Sequence, residues 1–366
     1  MMNLNVVDFA KNFITSKFGR YNNSPKGPLF LNWAVTYRCN SRCLMCDIWK
    51  FYKKYPEKIK EELSIDNYRQ IFTSNKKHLR NLIHVGITGG EPFLRNDLSE
   101  IVSIIHNTCP KSAIDITTNG LIPKKIENDI KDILKKCPGL RLNINISMEG
   151  SEKTHNAIRG LDVSYKLSMS TVKKLMKIKK NNDIDVKVSF TILPQNYTEI
   201  YDVYKISQKL GFGFSCRPVH TSTSFYGNKE HLINSFSSSM IKSIENQLKK
   251  IPNKDFFLEH IPTYLRSKNF IVPCYSGFYS IYIDPYGNVY PCLFIDKKMG
   301  NIKDLNFFEK TWNSKEFIGI RNDIKNKCCP NCWTECEINH SLYLDGIRYL
   351  SWMMRKPSHI LSIRGK

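Results

Sequence analysis

Several absences narrow the reading of this 366-residue chain before any motif does. No uninterrupted apolar run approaches the length a helix needs to span a bilayer. The opening "MMNLNVVDFAKNFITSKFGR" scatters its charges and has no small-residue cleavage site, so no secretory signal is read and a cytoplasmic location is expected. There is no block of five or more consecutive basic residues, although 55 Lys+Arg against 33 Asp+Glu gives a formal charge of +22. A diffuse excess of this kind reads first as compositional bias, since Lys, Ile and Asn are abundant throughout. A polyanionic partner, an anionic membrane surface or an acidic substrate is the alternative. No low-complexity segment and no long internal repeat is present. The 41% hydrophobic content suffices for one large domain or two smaller ones.

Cysteine, in contrast, is plentiful, at twelve residues. In a cytoplasmic chain that number points to metal or redox chemistry and away from a disulfide framework. Cys39, Cys43 and Cys46 lie in "YRCNSRCLMCDIW" with C-x3-C-x2-C spacing. Cys274, Cys292, Cys328, Cys329, Cys332 and Cys336 form a second group. Cys109, Cys137 and Cys216 are isolated and read as small buried hydrophobes. Two groups suggest two metal centres. The first three thiolates are one short of a tetrahedral zinc site or a fully ligated cluster. Zinc sites usually pair C-x2-C units, and the triad has no such partner nearby. A [4Fe–4S] cube with one iron open to a small chelating molecule is therefore favoured over zinc.

The middle of the chain alternates β-rich runs with helical periodicity. The runs are 31–37, 82–90, 112–120, 141–148, 185–193 and 213–220. Between them, Leu98, Ile101, Ile105 and Cys109 share a helical face. Met169, Val172, Leu175, Met176 and Lys179 share another, with the other lysines opposite. Strand–helix alternation implies a parallel sheet with right-handed crossovers. The expected fold is α/β, a partial (β/α)6 TIM-like barrel with a small C-terminal β-hairpin and helix extension that binds iron–sulfur. In such folds chemistry gathers at the carboxyl ends of the strands. Cys39 follows the first strand, "GGEP" (89–92) ends the second, "TNG" (118–120) the third, and Ser147 and Glu149 the fourth.

The triad together with "GITGGEPFLRNDL" and "NISMEGSEKTHNAIRG" resembles the radical S-adenosylmethionine (SAM) superfamily over roughly residues 30 to 220. The resemblance implies that Cys39, Cys43 and Cys46 hold a [4Fe–4S] cluster and that SAM chelates its fourth iron. Reduction then cleaves SAM to a 5′-deoxyadenosyl radical, which abstracts a hydrogen atom from a substrate. It further implies that Gly89, Gly90 and Glu91 receive the SAM ammonium, with Pro92 fixing the turn. Ser147 would contact the ribose and Arg159 the SAM carboxylate. Met45 stands where relatives often carry an aromatic residue near the adenine. Asn119 reads as a loop-shaping residue.

The stretch "CYSGFYSIYIDPYGNVYPC" carries a hairpin turn in "DPYGN" between Cys274 and Cys292. "CCPNCWTEC" follows. Together they resemble the SPASM or twitch extension of radical SAM enzymes, with a shortened closing half. That implies one auxiliary [4Fe–4S] cluster, held by Cys274, Cys292, Cys329 and Cys332 with Cys336 as rival; structural zinc is the competing reading. Tyr290 and Trp333 are expected to pack around it.

The chain divides into an N-terminal amphipathic helix (1–28), a radical SAM partial barrel (29–225), a helical linker (226–270), an auxiliary-cluster domain (271–345) and a basic tail (346–366). In the first helix Leu4, Val7, Ile14 and Phe18 share one side. That stripe is expected to dock on the barrel; it and the basic, apolar tail leave peripheral membrane contact as the alternative. The functional expectation is a radical SAM enzyme acting on a peptide, protein or small metabolite, with SAM, an unidentified substrate and a reductant such as ferredoxin or flavodoxin as partners. A radical SAM enzyme of lipids or glycolipids is the second reading, and a non-catalytic metal-binding module the third. The rim motifs argue against that module and against a nucleic-acid partner.

Overall fold

The computed structural model describes residues 6–223, 225–228, 236–346, 348 and 351–352. Six parallel strands form its frame: β1 (Phe30–Thr36), β2 (His84–Gly89), β3 (Ala113–Thr118), β4 (Arg141–Ser147), β5 (Ile184–Ile192) and β6 (Gly213–Pro218). Each falls within a β-rich run of the sequence, to within a residue. Successive strands are neighbours and the sheet stays unclosed, as a partial barrel requires.

Side-chain alternation sorts the two faces of this sheet. Val85, Ile87, Ile114, Ile116, Leu142 and Ile144 are fully buried and share one core with helical residues such as Ile101, Ile105, Ile130 and Ile133. Their alternates His84, Asp115, Asn143 and Asn145 are polar and only half-buried. The inner face of the sheet is thus hydrophilic, and that is the face the strand ends open onto.

The C-terminal hairpin does not stand apart. β7 (Ser280–Ile283) pairs in parallel with β1, Phe30 opposite Ser280, and β8 (Asn288–Tyr290) and β9 (Gly300–Asn301) follow antiparallel. The result, among the described residues, is one nine-stranded sheet ordered β6-β5-β4-β3-β2-β1-β7-β8-β9. "DPYGN" makes the turn between β7 and β8. Asp284 Oδ1 accepts from the backbone N–H of Tyr286 and Asn288, each at 2.9 Å, and Gly287 takes φ +86°, which favours glycine.

Two helical faces depart from expectation. In Ser164–Asn181 the buried side is Ser164, Ser168, Thr171, Val172, Leu175 and Ile178, while Met176 is 40% exposed. Ser168 and Thr171 are inside because their hydroxyls donate to the carbonyls of Asn119 and Gly120, at 2.8 and 2.6 Å. In the first helix, Val6–Tyr21, Ile14 and Phe18 face solvent. The helix docks instead through Ser16 and Gly19. A side chain at position 19 would run into the Tyr279 hydroxyl, and Arg20 Nε donates to the Cys274 carbonyl at 3.0 Å. Leu4 lies outside the described residues, as does most of the C-terminal tail. Among the described residues no helix is long and apolar enough to cross a membrane.

Candidate functional site

The loop after β1 carries the first three cysteines, and its neighbours hold it by backbone bonds. Arg42 N–H donates to the Arg159 carbonyl (3.0 Å), Leu44 N–H to Ile158 (2.9 Å) and Asp47 N–H to Tyr226 (2.8 Å). Asn228 Nδ2 donates to the Met45 carbonyl at 2.6 Å. Gly160, at φ +70°, passes so close to the Arg42 carbonyl that a Cβ would collide with it.

The glycines of "GGEP" serve this loop sterically. Gly90 N–H donates to the Thr36 carbonyl and Glu91 N–H to the Arg38 carbonyl, both at 2.7 Å. A Cβ on Gly89 would strike the Thr36 carbonyl, and one on Gly90 the carbonyls of Arg38 and Tyr37. The second strand end can therefore lie against the chain leading into Cys39 only with no side chains there.

A cavity of about 800 Å³ opens at the carboxyl ends of the strands. Cys39, Cys43 and Cys46 line one wall, with Met45 beside them; Gly89, Gly90, Asn119, Ser147 and Arg159 also face it. Arg159 Nη1 lies 3.5 Å from Cys43 Sγ, and Nη2 lies 2.5 Å from Glu149 Oε1. Glu149 is fixed in turn. Its Oε2 accepts from Thr191 N–H (2.7 Å) and its own N–H donates to His155 Nδ1 (3.1 Å). Burial holds that imidazole neutral, pushed down to about 3. Asn119 does more than shape its loop. Its Nδ2 donates to Asn40 Oδ1 at 2.8 Å and approaches Cys39 Sγ at 3.9 Å.

Glu91 does not face the cavity. Its carboxylate is fully buried and accepts from Asn119 N–H (2.7 Å), Thr118 Oγ1 (2.9 Å) and Phe93 N–H (3.2 Å), joining the ends of β2 and β3. Burial outweighs these bonds and pushes its carboxyl up to about 7. Within this motif the cavity is offered the glycine backbone, not the acid.

Burial also pushes the Cys39 thiol up to about 12, and raises Cys46 as well. Thiols this far above neutral pH are poor nucleophiles on their own. With Cys43 on the same wall, they suit a positively charged iron centre, whose charge would favour the thiolates.

A second, smaller cavity of about 280 Å³ is lined by Cys274, Cys292, Cys329 and Cys332. Phe270, Phe294, Ile295 and Ile324 supply its apolar walls. Tyr290 and Trp333 do not line it: Tyr290 packs on Tyr282, and Trp333 stacks on Phe257 at 5.6 Å. Cys336 does not line it either. It bonds Thr334 Oγ1 at 3.5 Å and interacts electrostatically with Arg217 and Tyr226 as well as with Cys332. Cys328 is exposed. Among the described residues no three His, Cys, Asp or Glu side chains are gathered about a single ion.

Sequence reasoning missed several residues of the larger cavity, among them Thr117, Thr191, Arg217, His220 and Tyr226. Arg217 carried a readable signal, as a lone cation in an otherwise uncharged strand. Tyr226 lies in an irregular segment and carried none.

An unclosed parallel barrel with a three-thiol loop and a glycine turn at its rim is the arrangement that the sequence resemblance implies. Residues 33–206 match the Radical SAM superfamily, and residues 274–337 match the SPASM iron-sulfur cluster-binding domain. The chain belongs to the radical SAM superfamily of enzymes and carries a SPASM extension. It is 25% identical over 339 residues to the antilisterial bacteriocin subtilosin biosynthesis protein AlbA of Bacillus subtilis (strain 168), covering 84% of this chain and 67% of that protein. It is 30% identical over 182 residues to the GTP 3',8-cyclase of Campylobacter jejuni (strain 81116 / NCTC 11828), covering 46% of this chain and 52% of that one. The chain thus spans about half the length of that cyclase and two thirds of AlbA. In fold it resembles Streptococcus suis SuiB bound to its precursor peptide SuiA, with a TM-score of 0.60 at 14% identity over 90% of this chain and 77% of that one.

Proposed function

We propose that this chain is a radical SAM enzyme that modifies a peptide. The observation that carries the proposal is the convergence of Cys39, Cys43, Cys46, the Gly89–Gly90 backbone, Ser147 and Arg159 on one cavity at the strand ends. Cys39, Cys43 and Cys46 would hold a [4Fe–4S] cluster. When bound and reduced, cluster and SAM together supply a 5′-deoxyadenosyl radical for hydrogen abstraction. The protein's part is to position and shield. The Gly89 and Gly90 carbonyls would accept from the SAM ammonium, Ser147 would meet the ribose, and Met45 would pack against the adenine. Arg159, held by Glu149, would meet the SAM carboxylate. Cys274, Cys292, Cys329 and Cys332 would hold one auxiliary [4Fe–4S] cluster that serves the substrate as electron acceptor or ligand.

The likeness to AlbA along most of this chain, and to a peptide-bound SuiB in fold, favours a peptide over a free metabolite. The test is anaerobic reconstitution followed by measurement of 5′-deoxyadenosine from SAM and dithionite. The wild type should form it without substrate, and the variant with Cys39, Cys43 and Cys46 all changed to Ala should not. Formation at the wild-type rate in that variant removes the reading.

One observation favours action at a membrane surface. Ile14, Phe18 and Tyr21 form a stripe on the first helix, each at least 67% exposed. Co-flotation with anionic vesicles, lost on changing all three to Ser, would support it; no flotation of the wild type would end it.

A further inference from the structure

Three cations, from β5, β6 and the helix after β4, reach the inner face of the sheet, and they are not equivalently compensated. Arg159 is ion-paired to Glu149 at 2.5 Å. Lys187 faces the carboxylates of Glu335, Asp115, Asp255 and Asp185. Arg217 differs. It lines the 800 Å³ cavity, and its hydrogen bonds go to neutral hydroxyls: Nη1 to Ser189 Oγ at 3.2 Å, and another to the Tyr226 side chain.

Two carboxylates act on Arg217 from further away, and each has a closer partner. Glu149 is held by Arg159 and the Thr191 N–H. Glu335 takes a hydrogen bond from Ser215 and feels Lys187 more strongly than Arg217. Among the described residues no carboxylate lies within ion-pairing distance of Arg217. β6 fixes its placement, because Arg217 pairs in register with Thr191, two residues along β5 from the Ser189 that it bonds. A guanidinium has five N–H donors in a rigid fork, and two bonds to hydroxyls leave donors for the cavity. A half-buried guanidinium with neutral neighbours is a ready partner for a carboxylate, which it can meet with two parallel bonds.

We propose that Arg217 is the specificity-determining residue of this site and anchors a carboxylate of the substrate, from an acidic side chain or a peptide C-terminus. This rests on the reading of the cavity as the place where SAM and a peptide meet. It makes the substrate class an acidic or terminal segment, and it gives Ser189 and Tyr226 the task of aiming the fork.

The test uses reconstituted full-length protein with SAM and three small probes: acetyl-glutamate amide (side-chain carboxylate), acetyl-glutamine (terminal carboxylate) and acetyl-glutamine amide (no carboxylate). Saturation-transfer NMR is expected to show binding of at least one acid and none of the neutral amide; the stronger acid identifies the source. Arg217→Gln should weaken that acid about tenfold or more, and Arg217→Lys less, because a lysine keeps the charge and loses the fork. Equal transfer to all three probes in the wild type overturns the proposal without any variant. So does acid binding that survives Arg217→Gln. Loss of SAM affinity in Arg217→Gln, read by equilibrium dialysis with labelled SAM, also overturns it, since the fork would then belong to SAM. Acid binding in a protein that never forms 5′-deoxyadenosine removes the radical function and leaves the anchor standing. Formation of 5′-deoxyadenosine without discrimination between acid and amide removes the anchor alone.

Discussion

Arg159 stands between Glu149 and Cys43, with one terminal nitrogen 2.5 Å from the carboxylate and the other 3.5 Å from the sulfur. Glu149 is 0% exposed and Arg159 8%. Removing one partner of a buried pair strands the other charge. Glu149→Ala should cost roughly 3–5 kcal/mol. Glu149→Gln, which fills the same space and keeps one acceptor oxygen for either Arg159 or Thr191 N–H, should cost less. Denaturant melts of the anaerobic proteins check the order; equal midpoints for the two variants would mean that the charge is not what matters.

Gly90→Ala should disable the first cluster site through the backbone of the loop. The new Cβ would meet the Arg38 and Tyr37 carbonyls, and these cannot retreat without moving Cys39. Iron should fall from roughly eight to about four per chain, given two cubes of four irons. Gly319→Ala is the control. It lies in the helix Lys315–Lys325 with nothing near its missing Cβ, and should stabilise by about 0.5–1 kcal/mol. Full iron content in Gly90→Ala would contradict the steric argument.

The carboxyl of Glu91 gives a pH signature. Folding raises it from its ordinary 4.5 to about 7, so the folded state holds the proton more tightly than the unfolded one. Its contribution is then fully present below pH 4.5 and is lost as pH rises through 7. The full loss is on the order of 3 kcal/mol, at about 1.4 kcal/mol for each tenfold gain in proton affinity on folding. Relative to Glu91→Gln, the wild-type urea midpoint should fall as pH rises from about 4.5 to about 7. Parallel curves for the two proteins would show that Glu91 stays ionised in the fold.

Cys332 and Cys336 should separate cleanly. Cys332 lines the four-thiol cavity and Cys336 does not. Cys332→Ala should lose the auxiliary cluster, about four irons from the usual cube, while retaining 5′-deoxyadenosine formation. Cys336→Ala should keep the iron. Iron counts with electron paramagnetic resonance of the dithionite-reduced proteins decide it, and the reverse pattern would exchange the two ligands.

Much of the frame was readable because strand periodicity is local. Runs such as "RLNINIS" announce β4 by alternation alone, and the triad with "GGEP" announced which rim to look at. Three features were not readable, each for its own reason. Hydropathy ranks Ser168 and Thr171 below Met176, yet the hydroxyls go inside because two carbonyls of the "TNG" turn await donors. Glu91 looks like a ligand by its place in the motif, but what it contacts depends on β3 folding against it. The hairpin signal in "DPYGN" names a turn and cannot name its partner, so the pairing of β7 with β1 was invisible.

That pairing has a mechanical consequence. β1 runs directly into the Cys39 loop, and β7 runs into the turn that leads back to Cys292. Cys39 therefore leaves the carboxyl end of β1, and Cys292, after the antiparallel β8, lies back toward the amino end of the same ladder, so continuous strand pairing joins the two segments. A change in spacing between the two would require shearing a hydrogen-bonded ladder, not merely rocking one domain on another. The distance between the two segments is in this sense a property of the backbone register, set when the chain folds.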